Sequence, residues 1–120
     1  VQAAGCAPLE RAWKRSIDTD DVAEVWAEAM TVWDNPSSLA DGILDDETYD
    51  WVGVVEAMRR NGGIPVVAPE ADIEAAHRLA HEAGYNVSPT GSAGLAGLLT
   101  MSGDIAPNEH IVVVLSGVTR

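Results

Sequence analysis

Ile111-Val112-Val113-Val114-Leu115-Ser116-Gly117 is the stretch whose reading decides the fold. An apolar run with no polar alternation predicts a strand covered on both faces, as the strands of parallel sheets are. Such a strand empties here into Ser116-Gly117, and open parallel sheets bind ligands beyond the carboxyl ends of their strands. The Ser116 hydroxyl is therefore the first candidate for a binding group.

Upstream of that strand, helical and extended signals alternate. Ser88-Pro89 pairs a capping oxygen with a first-turn proline and predicts a helix over Thr90 to Met101, despite its glycines. Tyr85 to Val87 is a brief strand candidate. Pro69 opens a helix whose face carries Ile73, Ala76, Leu79, Ala80 and Ala83, with Gly84 as its stop. Ile64 to Ala68 reads as a short buried strand, which Pro65 assigns to a sheet edge or a strand start. Trp51, Val54, Val55 and Met58 recur at helical spacing before Asn61-Gly62-Gly63, a left-handed stop. Asp18-Thr19-Asp20-Asp21 offers N-cap oxygens to a helix over about Asp21 to Trp33, which Asn35-Pro36-Ser37-Ser38 halts. Ala40-Asp41-Gly42 then lies in a loop that runs to Asp46. Leu9 to Arg15, behind Pro8, predicts a short amphipathic helix, and Val1-Gln2-Ala3 a possible strand. The order is that of an α/β protein: a partial, open, mostly parallel sheet with flanking helices.

Length and charge narrow the functions. A chain of 120 residues with 47% hydrophobic content can bury one core. Its formal net charge of -12, from 19 acidic against 7 basic residues, argues against nucleic acid or an anionic membrane surface as a partner. No apolar run approaches the roughly 18 residues that cross a bilayer, and no basic-then-apolar leader precedes Gln2. The expectation is a soluble, cytoplasmic protein. Cys6 is the only cysteine, which rules out an intrachain disulfide and a thiolate metal cluster. The opening at Val1, without Met and directly in a candidate strand, predicts a piece cut from something longer.

Several features could carry chemistry, and each has a plainer reading. Gly91, Gly94 and Gly97 could bring a helix close to a neighbour or an anion, yet small-residue helix packing explains them better: a dinucleotide fingerprint needs a good strand before the glycines, and only Asn108 and Glu109 lie where its ribose acid would stand. His77 and His81 share a helix face, but no third ligand converges and the glutamate of a zinc-protease helix is absent, so a solvated face is expected and no metal. Asp41, Asp45, Asp46, Glu47 and Asp50 form an acidic loop in which Gly42 has the wrong offset for calcium. Trp13, Trp26, Trp33 and Trp51 are mostly on helical stripes and are expected to pack in the core or between subunits. Lys14, the sole lysine, sits beside Arg11 and Arg15 on an amphipathic helix, a setting for a solvated side chain.

Four segments in order resemble the carboxyl-terminal part of the pyridoxal-phosphate enzymes related to tryptophan synthase β (fold type II), threonine synthase most closely. They are Val1-Gln2 with Gly5-Cys6-Ala7-Pro8-Leu9, Ser38-Leu39-Ala40-Asp41-Gly42-Ile43, Ser88-Pro89-Thr90-Gly91-Ser92-Ala93-Gly94-Leu95-Ala96, and Val112-Val113-Val114-Leu115-Ser116-Gly117. The resemblance implies that Ser116 hydrogen-bonds the pyridine nitrogen of pyridoxal 5'-phosphate, with Gly117 beside it and Gly42 against the cofactor ring. A neutral hydroxyl there favours elimination and replacement over transamination. Ser88 stands where several relatives carry a glutamate, and with Thr90 it is assigned to the substrate pocket. The family's Schiff-base lysine, substrate-carboxylate loop and phosphate cradle lie upstream of the matched region, so no residue here is assigned as catalytic. The resemblance thus implies a single C-terminal fragment over residues 1–120, in the form of an excised piece, a proteolytic product or a separate subunit. It would bind no cofactor alone, and its partners would be the N-terminal portion of the enzyme and further copies of itself. The activity implied is conversion of O-phosphohomoserine to threonine. A serine or threonine dehydratase is the nearest enzymatic alternative, against which the closing Gly117-Val118-Thr119-Arg120 leans towards threonine synthase. A non-catalytic α/β module that docks through its tryptophan-bearing helices is the alternative of another class.

Overall fold

The computed structural model describes residues 1–117, and in it the chain is mostly helical. In chain order it contains β1 (Gln2–Ala3), α1 (Pro8–Arg15), a 3-10 turn at Val22–Val25 running into α2 (Trp26–Ala29), a 3-10 turn at Asp41–Ile43, α3 (Trp51–Asn61), β2 (Val67–Ala68), α4 (Glu70–Glu82), α5 (Ala93–Thr100) and a 3-10 turn at Ser102–Asp104. The α/β architecture expected from the sequence, an open and mostly parallel sheet, is therefore corrected. Among the described residues the sheet has two strands, β1 and β2, parallel and in the register Gln2 with Val67 and Ala3 with Ala68.

Local chemistry keeps those strands short. The Cys6 N–H turns back to the Ala3 carbonyl at 2.9 Å, which bends the chain after β1. Pro69, without an N–H, ends the ladder after β2. Ile64 to Val66 lie outside the strand, and Ile64 is exposed. The larger departure is Ile111 to Leu115, which forms no strand. Its neighbour is α5, where the Gly94 backbone lies against Val113 and the Val114 carbonyl. A helix offers no ladder to an extended chain. Cover is one-sided: Val113 and Leu115 are half-buried, while Val112 and Val114 are 89% and 71% exposed. Tyr85 to Val87 likewise forms no strand and contributes one bridge position at Val87.

The helices follow their sequence signals more closely. Gly62, with φ of 70°, ends α3 in the left-handed conformation that a residue without Cβ adopts readily. Gly84, with φ of 90°, follows α4 in the same way. The Asp21 carboxylate caps its turn, accepting the Ala23 N–H at 2.9 Å. That helix stops at Ala29 instead of continuing to Trp33. Four carbonyls around its end are taken by side chains of α1: Arg11 reaches those of Thr31 and Val32, and Arg15 those of Glu28 and Ala29. The Arg11 guanidinium also lies over the Trp33 ring, 4.9 Å from its centroid.

Two hydrophobic clusters result. One joins Ala3, Ala40, Ala68, Ile73, Ala76 and Ala96, and brings β1, β2, α4 and α5 together. The other joins Ala12, Val22, Ala29, Met30, Trp51 and Val55 around α1, α2 and α3. Arg59 ties α3 to the end of α1 through the carbonyls of Ser16 and Thr19. No helix of the described residues is long and apolar enough to cross a membrane.

Candidate functional site

The connection from α4 to α5 builds the site. After Gly84 reverses the chain, the Tyr85 N–H returns to the Ala80 carbonyl at 2.9 Å, and His81 Nε2 holds the Val87 carbonyl at 2.9 Å. The next residues make a turn of their own before α5 begins. Ser88 Oγ accepts the Gly91 N–H at 3.0 Å, the Ser88 carbonyl accepts the Ser92 N–H at 3.0 Å, and the buried Ser92 hydroxyl donates to the Pro89 carbonyl at 3.1 Å. The first of these bonds is of the N-cap kind expected of Ser88 and the second spans one helical turn, yet the regular helix α5 begins only at Ala93 and not at Thr90.

Two other segments close on this turn. From the terminal stretch, the Ser116 N–H donates to the Gly91 carbonyl at 3.3 Å, and the Gly117 carbonyl accepts the Ser88 N–H at 3.2 Å. The approach is so close that a Cβ on Gly91 would collide with the Gly117 backbone. From the other side comes the Asp41–Ile43 turn. The Gly42 N–H donates to Thr90 Oγ1 at 2.9 Å, and the Thr90 hydroxyl donates to Asp41 Oδ1 at 3.5 Å. A Cβ on Gly42 would lie 2.9 Å from Thr90 Cγ2. Farther back, the loop meets α4: Glu70 accepts the Ser38 hydroxyl at 2.8 Å and the Leu39 N–H at 2.5 Å.

The residues singled out in the sequence therefore gather at one place. Gly42 meets Thr90, and Ser116 and Gly117 meet the Ser88 to Gly91 turn. No direct contact joins Gly42 to Ser116 among the described residues. Ser116 is exposed, on the uncovered face it shares with Val112 and Val114. Its hydroxyl has no hydrogen-bond partner among the described residues. The opposite face of the segment lines a groove of about 670 Å³ with Leu79, Tyr85, Val87 and Leu95. Val118, Thr119 and Arg120, which bear on the choice between synthase and dehydratase, lie outside the described residues.

A family model described as "Pyridoxal-phosphate dependent enzyme" matches residues 1–117. The chain belongs to this family. No curated protein and no solved structure matches it. Family membership makes pyridoxal phosphate the group against which the site is tested. An exposed hydroxyl at Ser116, on a backbone held at Gly91, suits a polar edge of the cofactor ring. A covalent anchor is another matter. The sole lysine, Lys14, is exposed on α1 and paired with Glu10 at 2.5 Å. The described residues thus fit one side of the cofactor and not its attachment.

The remaining candidates sit elsewhere or do structural work. His77 packs edge-on against His81, with ring centroids 4.5 Å apart, and among the described residues no group of three or more potential ligands could hold a metal. Trp51 is buried, whereas Trp26 is 57% exposed. Cys6 is buried and its thiol lies 3.3 Å from the Asp45 carbonyl. Burial pushes that thiol's pKa up, the carboxylates of Asp46 and Asp45 add to the rise, and Arg11 opposes it. Sequence reasoning missed Asp41 and Gly91 as members of the site, and Glu70 altogether. Gly91 could have been found from its place in the Ser88-Pro89-Thr90-Gly91-Ser92 turn. Glu70 carried no signal beyond being an acid in a first helical turn.

Proposed function

We propose that this chain is the C-terminal part of a threonine-synthase-like enzyme of amino-acid biosynthesis, which converts O-phosphohomoserine and water to threonine and phosphate. The observation that carries the reading is the convergence of Gly42, Ser88, Thr90, Ser116 and Gly117 on one turn, in a chain of the pyridoxal-phosphate dependent family. Bound there, pyridoxal phosphate supplies the electron sink for γ-elimination of phosphate and addition of water at the β-carbon.

The chain's own residues bind and orient. Ser116 would donate its hydroxyl to the ring nitrogen, and as a neutral group it would not hold that nitrogen protonated. The Gly117 carbonyl and the Ser116 N–H, both bonded to the 88–91 turn, fix where that hydroxyl stands. Gly42, its N–H held by Thr90 Oγ1, would bring a loop without a side chain beside the ring. Ser88 and Thr90 form part of the substrate wall, and Ser88 adds no carboxylate to the one that Asp41 brings beside Thr90. The reactive lysine and the phosphate cradle come from the N-terminal portion, so this part does not catalyse alone. Association with that portion, and with further copies, covers the exposed face of Val112 and Val114.

Steady-state assay of the full-length protein with O-phosphohomoserine and with threonine tests the assignment. Release of phosphate with formation of threonine is the expected result. Deamination of threonine without turnover of O-phosphohomoserine would transfer the reading to a dehydratase, which the Ala40-Asp41-Gly42 loop and the Ser116-Gly117 end also suit. A protein inert towards both would favour the non-catalytic module.

A further inference from the structure

We propose that Glu70 is a positioning residue of this site, holding the Ala40-Asp41-Gly42 loop at the distance from the Ser88 to Gly91 turn that the cofactor requires. The inference rests on the reading of that turn as the cofactor site. Glu70 opens α4, a helix of 13 residues, where the partial positive charge of the helix end favours a carboxylate. Its two oxygens take two donors from consecutive residues more than thirty positions away in the chain: the Ser38 hydroxyl at 2.8 Å and the Leu39 N–H at 2.5 Å. Ser38 Oγ in turn accepts the Ala40 N–H at 3.1 Å while its own hydrogen goes to the Glu70 carboxylate, which can only accept. Three successive residues are thereby locked ahead of Asp41 and Gly42.

The lock is set at one end of the loop, and the site lies at the other. Ala40 is fully buried beside Ala3, Ala68 and Ile73, and beyond it Gly42 donates its N–H to Thr90. Leu39, between the two, is 48% exposed and supplies little packing. Neither of the two side-chain ion pairs among the described residues involves Glu70, so its charge is answered by these donors and the helix end. A carboxylate can accept from both donors at once. A glutamine has one acceptor oxygen for the Leu39 N–H, and its NH₂ can only donate to the remaining lone pair of Ser38 Oγ, which replaces two charge-assisted hydrogen bonds by weaker neutral ones.

The test uses the full-length protein with Glu70→Gln, Glu70→Asp and Ser116→Ala, and two readouts. Amide hydrogen exchange without cofactor reads the lock itself. In Glu70→Gln, exchange over residues 38–43 should rise roughly tenfold, as expected for losing one hydrogen bond to a charged group, with residues 51–61 unchanged. Glu70→Asp, too short to reach both donors, should behave alike. Titration with pyridoxal phosphate, followed by its absorbance, reads the consequence. Affinity should fall severalfold in both Glu70 variants, while the thermal midpoint stays within a few degrees of the parent. Unaltered exchange over 38–43 would overturn the lock, and loosened exchange with unaltered cofactor affinity would overturn the positioning role. Ser116→Ala separates the two claims. If it leaves cofactor binding and spectrum untouched while the Glu70 variants shift both readouts, the reading of Ser116 fails and that of Glu70 stands.

Discussion

The cluster around Ala3, Ala68, Ile73 and Ala96 is made almost wholly of small side chains, whereas the cluster around Trp51 is filled by volume. The first lets backbones approach. β1 pairs with β2 beside α4 and α5, the Gly5 backbone abuts Ser37, and the Gly91 turn touches Gly117. The second holds α1, α2 and α3 by burying one large ring, with Arg11, Arg15 and Arg59 taking carbonyls between the elements. The difference teaches that the candidate site stands in the half of the molecule where added atoms do harm. The other half suffers when atoms are removed.

The largest effect expected is in the second half. Trp51→Ala should destabilise the protein by about 3–5 kcal/mol, the cost of emptying a buried aromatic site, as read by denaturant melts. Trp51→Phe should cost less, because the indole Nε1 is buried without a partner. Equal losses for the two would break the contrast. Next comes the first half, where Gly91→Ala should cost about 1–3 kcal/mol by overpacking against the Gly117 backbone. Its effect on cofactor affinity should exceed that of any change on α3. The opposite sign is expected at Gly53, an exposed position in the middle of α3 with open space where a Cβ would stand. Gly53→Ala should stabilise by about 0.5–1 kcal/mol, which confirms that the harm at Gly91 comes from contact and not from losing a glycine as such.

The smallest effect concerns pH. The Cys6 thiol has a raised pKa in the fold, so the unfolded chain loses this proton first as pH rises. Stability linked to Cys6 is complete below the unfolded value of about 8.5 and drains away above it, up to the folded value. The parent should therefore lose stability more steeply above that pH than Cys6→Ala does. Parallel slopes would show that the thiol is not shielded.

How much of this was legible in the sequence depends on how local its causes are. The stops at Gly62 and Gly84, the Asp21 cap and the start of α1 at Pro8 are decided within a few residues, and each was readable. The end of α2 was not, because Arg11 and Arg15 reach it from another helix. The apolar run at Ile111 to Leu115 has the composition of a buried strand, yet a strand also needs a neighbour to pair with, and α5 offers none. Ser116 was singled out from the end of that apolar run, and Ser88, Thr90, Gly42 and Gly117 through a resemblance of short motifs, while the hydrogen bonds that unite them were invisible in the chain. Glu70 was invisible for the same reason, since its partners Ser38 and Leu39 are remote in sequence.

The central claim is that Ser116 presents a neutral hydroxyl to the cofactor's ring nitrogen. Nitrogen NMR of the full-length protein, loaded with pyridoxal phosphate carrying a labelled ring nitrogen, tests it most directly. The parent should show an unprotonated ring nitrogen, Ser116→Asp should move the resonance into the protonated range, and Ser116→Ala should weaken binding by about 1 kcal/mol. A resonance already protonated in the parent, or one that does not move in Ser116→Asp, would contradict the account.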